Sequence, residues 1–246
     1  MLGQVAWVTG ASRGIGRASA VLLAQAGADV ALCHLSDDAA ARAAALAISA
    51  HGRRTFHAEA DMGDVAAIRR FAAAAEAALG PCDILVNNAG LNIRKPFAET
   101  TEADFDRVLD VHLKGMFFMA QAVFPGMAAR GRGRIINIAS QLAFKGAAGI
   151  VAYCAAKAGI VGLTRALARE AAPLGILVNA VAPGATDTDL VRARGPEWRR
   201  EMEALLPMGR LGTVEEVAES VLLLAGPGGG YYCGATLSPN GGDVMH

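Results

Sequence analysis

The segment Val5-Ala-Trp-Val-Thr-Gly-Ala-Ser-Arg-Gly-Ile-Gly16 decides the fold of this chain. Its first five residues are apolar or β-branched and predict a buried strand from Val5 to Thr9. The glycine-rich turn that follows leads into a helix, which we expect to end near Ala26. Glycines let the backbone turn tightly, and the N-terminus of a helix offers free N–H groups to a pyrophosphate. A glycine loop between a strand and a helix therefore predicts a dinucleotide site.

Strand and helix patterns alternate along the rest of the chain. Further strands are predicted at Asp29 to Cys33, Arg54 to Ala58, Asp83 to Val86, Arg134 to Ser140, Gly175 to Ala182 and Gly234 to Leu237. Helices are predicted at Asp38 to Ala50, from Val65, at Glu102 to Ala128, at Tyr153 to Ala172 and at Val214 to Leu224. This alternation predicts an α/β fold: a single-domain, Rossmann-type doubly wound sheet of about seven mostly parallel strands with helices on both faces. Ligands bind such a sheet outside the carboxyl ends of its strands.

No repeat or linker divides the sequence, so residues 1–246 are expected to form one domain. An irregular insertion rich in Arg and Glu, at about 187–210, follows the sixth strand and is placed to act as a lid. A solvated helical surface is the alternative, and the two are compatible. The two apolar helices at Glu102 to Ala128 and Tyr153 to Ala172 favour burial in the fold or against another subunit. We therefore expect a homotetramer or homodimer built on twofold symmetry.

The composition excludes several classes of function. Basic and acidic residues balance at 23 each, which indicates neither a nucleic-acid footprint nor a membrane-surface patch. The four Cys lack Cys-x-x-Cys spacing, and the five His lack ligand spacing, so neither a disulfide frame nor a metal site is expected. The N-terminus has no charged, apolar leader, and Arg, Lys or Pro interrupts each apolar run before it could span a bilayer. These observations predict a cytoplasmic protein.

The sequence Tyr153-Cys-Ala-Ala-Lys157 carries the candidate chemistry. A spacing of four places both side chains on one face of a helix, about one turn apart. The ammonium of Lys157 can then favour the phenolate of Tyr153 and lower its pKa from about 10, so that the hydroxyl exchanges a proton with a carbonyl or an alcohol. Ser140, at the end of the preceding strand, lies within the same part of the fold. From the pattern alone, a surface Tyr beside a solvated Lys is the alternative.

The end of the second strand bears on the choice of cofactor. A carboxylate at that position would hydrogen-bond a ribose 2′-hydroxyl and repel a 2′-phosphate. This chain has His34-Leu-Ser36 there instead, and Arg13 in the glycine loop can pair with a phosphate. The pattern favours NADP, with NAD as the alternative. Asp37 and Asp38 are the evidence against NADP, because they could face the ribose, although these positions are more typical of N-cap residues of the next helix. Asp61 has the same two interpretations, as a ligand of the adenine amino group or as the cap of the helix near Val65.

Five motifs together resemble one family. They are Thr9-Gly-Ala-Ser-Arg-Gly-Ile-Gly16, Asn87-Asn-Ala-Gly90, Ser140, Tyr153-x-x-x-Lys157 and Pro183-Gly184, in the order and spacing of the short-chain dehydrogenase/reductases. The resemblance covers essentially the whole chain and is closest to the compact branch of that family. Within the branch, the chain looks most like the 3-oxoacyl-carrier-protein reductases and their relatives that act on sugars, polyols and small ketones.

The resemblance implies a role for each matched residue. Ser140 would hydrogen-bond the substrate oxygen, Tyr153 would be the general acid/base, and Lys157 would lower the pKa of Tyr153 while holding the nicotinamide ribose. His112 replaces the Asn that usually takes part in a proton relay, and we expect activity to persist because an imidazole can donate or accept. The expected cofactor contacts are Thr9, Gly10, Ser12, Arg13, Gly14, Ile15, Gly16, His34, Ser36, Asp61, Met62, Asn88, Ala89, Gly90, Ile138, Tyr153, Lys157, Pro183, Gly184, Thr186 and Thr188.

Three functions are compatible with these patterns. The first is an NADP-dependent reductase that converts a ketone, of the 3-oxoacyl-thioester type, into a secondary alcohol. The second is an NAD-linked sugar or polyol dehydrogenase, in which Arg94 and Lys95 would meet an acidic substrate unless they are simply solvated. The third is a nucleotide-sensing regulator without chemistry; such proteins tend to lose a catalytic side chain, whereas Ser140, Tyr153 and Lys157 are all present.

Two further sets of residues bear on the substrate. Carrier-protein reductases often place a basic residue where this chain has Leu174, although Arg130 and Arg132 are available to an acidic carrier protein. The residues expected to shape the substrate pocket predict a modest, partly apolar ligand. They are Leu142, Phe144, Ile150, Leu190 and the Arg-rich insertion.

Overall fold

The computed structural model describes residues 1–245, and within them seven strands form one parallel sheet. The strands are β1 (Val5–Val8), β2 (Asp29–His34), β3 (Thr55–Glu59), β4 (Ile84–Asn87), β5 (Gly133–Ile138), β6 (Ile176–Val181) and β7 (Thr236–Leu237). Their order in the sheet is β3-β2-β1-β4-β5-β6-β7. The chain direction across the sheet reverses between β1 and β4, which is the position where doubly wound sheets bind ligands. The predicted α/β fold is confirmed.

The helices cover both faces of the sheet. They are α1 (Gly14–Gln25), α2 (Asp38–Ser49), α3 (Val65–Leu79), α4 (Glu102–Leu109), α5 (Gly115–Arg130), α6 (Leu142–Lys145), α7 (Val151–Ala171), α8 (Asp189–Arg192), α9 (Gly195–Leu205) and α10 (Val214–Ala225). Helices α1, α2 and α10 pack on one face, and α3, α5 and α7 pack on the other. Every residue of β1, β2 and β4 is buried, as expected for central parallel strands with two covered faces.

Side-chain hydrogen bonds tie the carboxyl ends of the central strands to the helices. Asn87 Nδ2 donates to Asn137 Oδ1 over 2.9 Å, and Asn137 Nδ2 donates to Thr164 Oγ1 over 3.0 Å. These three side chains are buried and connect β4, β5 and α7. Because buried polar groups are costly to leave unpaired, this network fixes how α7 lies against the sheet.

Three segments differ from their predicted form. The helix predicted at Glu102 to Ala128 is interrupted by a π-helical turn at Asp110–Lys114, which separates α4 from α5. The short helix α6 lies between Ser140 and Tyr153, where no helix or strand was predicted. The insertion at about 187–210 is not irregular: it contains α8 and α9, in agreement with the alternative of a helical surface. Pro196 lies in the first turn of α9, where proline is tolerated.

Helix α7 also bears on the expected absence of membrane-spanning segments. Val151–Leu174 is the one helical stretch of the described chain that is long and apolar enough to cross a membrane, with 39% of its apolar window buried. The sequence prediction that no run is long enough was therefore wrong by this measure. The measure is weak evidence of a membrane span, because core helices satisfy it too, and α7 packs along β6.

Candidate active site

A cavity of about 710 Å³ opens beyond the carboxyl ends of β1, β4 and β5. All of the predicted site residues except Thr9, Gly16 and Ser36 line it. The motifs are far apart in sequence, and parallel strands bring their ends to this one edge of the sheet. The cavity is therefore the candidate active site.

Thr9 and Gly16 lie behind the cavity wall and hold it together. Thr9 Oγ1 accepts hydrogen bonds from the backbone N–H groups of Asn88 and Ala89, over 2.9 and 3.0 Å. A Cβ at Gly16 would lie 2.4 Å from Asn88 Nδ2, so only glycine fits there. The glycine loop and the end of β4 are thus locked to each other.

Ser36 turns towards β3 instead of the cavity. Its backbone has a φ of 50°, and both its N–H and its hydroxyl donate to Glu59 Oε1, over 3.0 and 3.4 Å. His34, two residues earlier, does line the cavity and is buried.

The glycine loop fits a pyrophosphate. Gly10 has a φ of +62°, and a Cβ there would lie 2.7 Å from Ala89 Cα, so the loop approaches β4 more closely than another residue would allow. Among the described residues, no side chain caps the N-terminus of α1, and its first turn contains no acidic residue. Free N–H groups and the positive end of the helix dipole therefore remain available to an anion.

Arg13 in this loop forms an ion pair with Asp37. The Arg13 Nε donates to Asp37 Oδ2 over 2.7 Å, and a second guanidinium nitrogen lies 2.6 Å from the same oxygen. Partial burial opposes ionisation, but hydrogen bonds from Arg13 and Ser12 hold the pKa of Asp37 below its usual value. Asp37 occupies the N-cap position of α2, as predicted, but in the described structure its side chain makes no capping hydrogen bond.

Asp61 lines the cavity and is also ion-paired. It accepts hydrogen bonds from the Gly63 N–H over 2.8 Å and from Arg107 Nη1 over 2.9 and 3.0 Å. The helix that follows is capped by Asp64, which accepts from the Ala66 N–H. The alternative that Asp61 caps α3 was therefore wrong.

Ser140, Tyr153 and Lys157 meet at the end of β5. Lys157 Nζ donates to the carbonyl oxygen of Ile138 over 2.7 Å and lies 5.5 Å from the centroid of the Tyr153 ring. A side-chain hydrogen bond joins Tyr153 to Ser140. The interpretation of Tyr153 and Lys157 as solvated surface residues is excluded, because Lys157 is only 3% exposed.

Burial shifts the proton affinities of both groups. It lowers the pKa of Lys157 to about 7, because a charged ammonium is poorly solvated there. Burial raises the pKa of Tyr153, and the hydrogen bond from Ser140 opposes that change. The prediction that Lys157 lowers the pKa of Tyr153 was therefore wrong for this structure: burial raises that pKa, and the hydrogen bond from Ser140, not Lys157, opposes the rise. The ammonium lies beneath the ring and binds a backbone carbonyl.

His112 occupies the π-helical turn and faces Tyr153. The two ring centroids are 5.1 Å apart, and the planes are nearly perpendicular at 87°. His112 Nε2 lies 2.7 Å from the Leu91 carbonyl oxygen and 3.1 Å from the Leu91 N–H, while Nδ1 has no partner among the described residues. Burial and the charge of Lys157 lower the pKa of His112 to about 3, so the imidazole is neutral at physiological pH. A Cβ at Gly90 would lie 2.4 Å from His112 Cε1, which explains the glycine.

The cavity also contains polar and aromatic side chains that the sequence predictions missed. Arg107 and Lys145 line the cavity, and Trp198 lies under the guanidinium of Arg194, 4.3 Å from ring centroid to guanidinium carbon. None of them belongs to a recognisable motif. Each reaches the cavity only because α4, α6 and α9 fold over it, so no signal in the sequence marks them.

A family model for short chain dehydrogenases matches residues 4–198. This chain belongs to the short-chain dehydrogenase family. It is therefore an oxidoreductase that depends on NAD(P), and the resemblance seen in its motifs is confirmed.

Relatives of nearly equal length support the assignment. Nodulation protein G of Azospirillum brasilense is 44% identical over 239 residues, 97% of each chain. An acetoacetyl-CoA reductase of Rhizobium meliloti is 42% identical and covers 99% of this chain and 100% of its own. A 3-oxoacyl-[acyl-carrier-protein] reductase of Vibrio harveyi is 39% identical, with 99% and 98% covered. The resemblance to 3-oxoacyl reductases is thus confirmed.

A solved structure shows the same fold. The crystal structure of a blue fluorescent protein from a metagenomic library, in complex with NADPH, superposes with a TM-score of 0.94. It is 41% identical, and 99% of each chain is covered.

Proposed function

We propose that this enzyme uses NADPH to reduce the ketone of a 3-oxoacyl-thioester-type substrate to a secondary alcohol. The observation that carries the proposal is the pairing of Ser140 with Tyr153 above the buried Lys157. That arrangement provides a hydrogen-bond donor, a proton donor and a cation at one point of the cavity wall. It is suited to protonating an oxygen as its carbon accepts a hydride.

The roles of the three side chains follow from their chemistry. The Ser140 hydroxyl hydrogen-bonds the carbonyl oxygen and fixes the orientation of the substrate. Tyr153 gives its phenolic proton to that oxygen as the C–H bond forms, and the resulting phenolate is then reprotonated from solvent. Lys157 stabilises the phenolate when it carries its proton, and its pKa of about 7 allows it to take up or release that proton near neutral pH. The bound dinucleotide supplies the hydride.

The cavity fits a phosphorylated dinucleotide at its other end. Residues Gly10 to Ile15 would hold the pyrophosphate at the N-terminus of α1. Arg13 would pair with the 2′-phosphate, and His34 lies where a carboxylate would repel that phosphate. The NADPH complex of the blue fluorescent protein supports this choice.

A turnover assay tests the proposed reaction. Purified enzyme is mixed with NADPH and either acetoacetyl-CoA or the acetoacetyl thioester of N-acetylcysteamine, and the loss of NADPH absorbance is followed. We expect turnover of at least one thioester and a higher kcat/KM with NADPH than with NADH. Turnover with NADH and a polyol, and none with either thioester, would assign the sugar or polyol dehydrogenase activity instead.

We also propose that the enzyme self-associates through apolar side chains on α4 and α5. Phe105 and Phe117 are 42% and 46% exposed, which is unusual for residues of this size. Light scattering should give the mass of a dimer or tetramer, and Phe117→Glu should reduce it. A monomeric mass for the unmodified protein would contradict this proposal. The cytoplasmic location stays a prediction.

A further inference from the structure

Six cationic side chains and only two carboxylates line the active-site cavity, although the whole chain is neutral. Three of the cations are neutralised locally: Arg13 by Asp37, Arg107 by Asp61 and Lys145 by Asp243. A fourth, Lys157, belongs to the catalytic group. Arg94 and Arg194 are the remaining two, and neither has a carboxylate partner within residues 1–245.

Arg94 is fixed at the substrate end of the cavity. Its Nη1 donates to the carbonyl oxygen of Ala148 over 3.1 Å, and the side chain crosses Gly149, where a Cβ would lie 3.5 Å from Nη1. Those residues lead directly into α7, which carries Tyr153. One donor nitrogen of Arg94 is therefore used to hold it in place, and its other N–H groups remain free for a ligand.

Arg194 lines the same cavity from the insertion. Its guanidinium stacks on Trp198, 4.3 Å from the ring centroid, so α9 holds the side chain in position. Both guanidinium groups line this one cavity, and the positive charge of Arg94 adds to partial burial in lowering the pKa of Arg194. Two like charges brought together without a counterion favour the binding of an anion between them.

We propose that Arg94 and Arg194 form a binding site for an anionic group, a carboxylate or a phosphate, carried by the carbonyl substrate. This inference rests on the proposed ketone reduction and specifies its substrate class. The neighbouring Lys95 does not take part, because its Nζ binds Asp104 over 2.5 Å. The cofactor does not account for the site either, because the dinucleotide phosphates fit at the glycine loop and Arg13.

Kinetics with three ketones of different charge test the site. Acetoacetyl-CoA carries phosphates, acetoacetate carries a carboxylate, and acetoacetyl-N-acetylcysteamine is neutral. In Arg94→Gln and Arg194→Gln, kcat/KM for the anionic substrate should fall at least about tenfold, mainly through KM, since a hydrogen bond between charged groups is worth that much. For the neutral thioester, kcat/KM should change less than about twofold, and this comparison also controls for damage to the fold. Arg194→Lys should retain part of the activity.

Arg200→Gln is the matched control, because Arg200 lies on the same helix as Trp198 and does not line the cavity. Arg200→Gln should leave kcat/KM unchanged for all three substrates. The substrate that responds to the variants identifies the source of the anion as a phosphate or as a carboxylate. An equal loss for the neutral and anionic ketones, or no loss in either variant, would overturn the proposal.

Binding without turnover separates this inference from the proposed reaction. Calorimetric titration of NADPH-saturated enzyme with coenzyme A, and with 3-hydroxybutyrate, should show binding that weakens about tenfold in the Arg variants. If no ketone is turned over but this binding is observed, the proposed function fails and the anion site stands. If neither ligand binds in a way that depends on Arg94 and Arg194, the anion site is wrong whatever the turnover assay gives.

Discussion

The two ends of the cavity hold their positive charges in opposite environments, one buried with no carboxylate partner in residues 1–245 and one exposed beside a carboxylate. At the catalytic end, Lys157 is 3% exposed, donates to one backbone carbonyl and has its pKa lowered to about 7. At the glycine loop, the Arg13 side chain is 57% exposed, is paired with Asp37 and keeps its charge. Burial thus allows Lys157 to exchange its proton near neutral pH. Pairing keeps Arg13 charged, so a phosphate must compete with Asp37 to bind it.

The largest expected effect concerns the cost of burying Lys157. Its pKa is about 7 in the folded protein and about 10.5 when unfolded, so between those values the unfolded chain binds more protons. The stability of the protein should therefore rise with pH across this window, by up to about 1.4 kcal/mol per pH unit. Urea unfolding across the window should show this rise in the wild type and its loss in Lys157→Met.

Lys114→Met is the control for that measurement, because Lys114 is 40% exposed and pairs with Asp110. It should keep the wild-type slope of unfolding free energy against pH. A Lys157→Met variant whose slope matches the wild type would show that Lys157 titrates as an ordinary lysine.

The next effect concerns the competition at Arg13. In the proposed NADPH site a 2′-phosphate would have to replace Asp37 as the partner of Arg13, so removing the carboxylate charge should favour NADPH. Asp37→Asn should tighten NADPH binding several-fold, and Arg13→Gln should weaken it about tenfold, with NADH little changed in both. Fluorescence titration with each dinucleotide measures these constants. Equal changes in the dissociation constants of NADH and NADPH would mean that Arg13 and Asp37 do not distinguish a 2′-phosphate from a 2′-hydroxyl.

The smallest effect is expected at His112. Its Nε2 approaches both the carbonyl oxygen and the N–H of Leu91, and a carboxamide has one donor and one acceptor with which to replace it. His112→Asn should therefore change kcat less than about tenfold in the NADPH assay. A loss of more than about a hundredfold would give the imidazole itself a part in the reaction.

The sequence was sufficient for those parts of the molecule that depend on local patterns. Apolar runs marked the strands, and the motifs placed Ser140, Tyr153 and Lys157 at a common sheet edge. Asp37 occupies its predicted N-cap position without capping α2, and Asp61 does not cap α3, because each carboxylate is drawn to a cation from elsewhere in the chain, Arg13 and Arg107.

Effects that depend on burial could not be predicted from spacing. The four-residue separation correctly predicted that Tyr153 and Lys157 lie on one face of a helix. The direction of the Lys157 ammonium and the raised pKa of Tyr153, however, depend on how α7 packs against β5. The convergence of Arg94 with Arg194, a hundred positions apart in numbering, likewise depends on the folded insertion.

The central claim, that Tyr153 delivers the proton, is tested most directly by the turnover of Tyr153→Phe with saturating NADPH and thioester. Tyr231→Phe is the matched control, because Tyr231 is fully exposed and lies outside the cavity. We predict that kcat falls about 10²- to 10⁴-fold in Tyr153→Phe, with NADPH affinity within a few-fold of wild type, and is unchanged in the control. A loss of less than about tenfold in Tyr153→Phe would contradict the account.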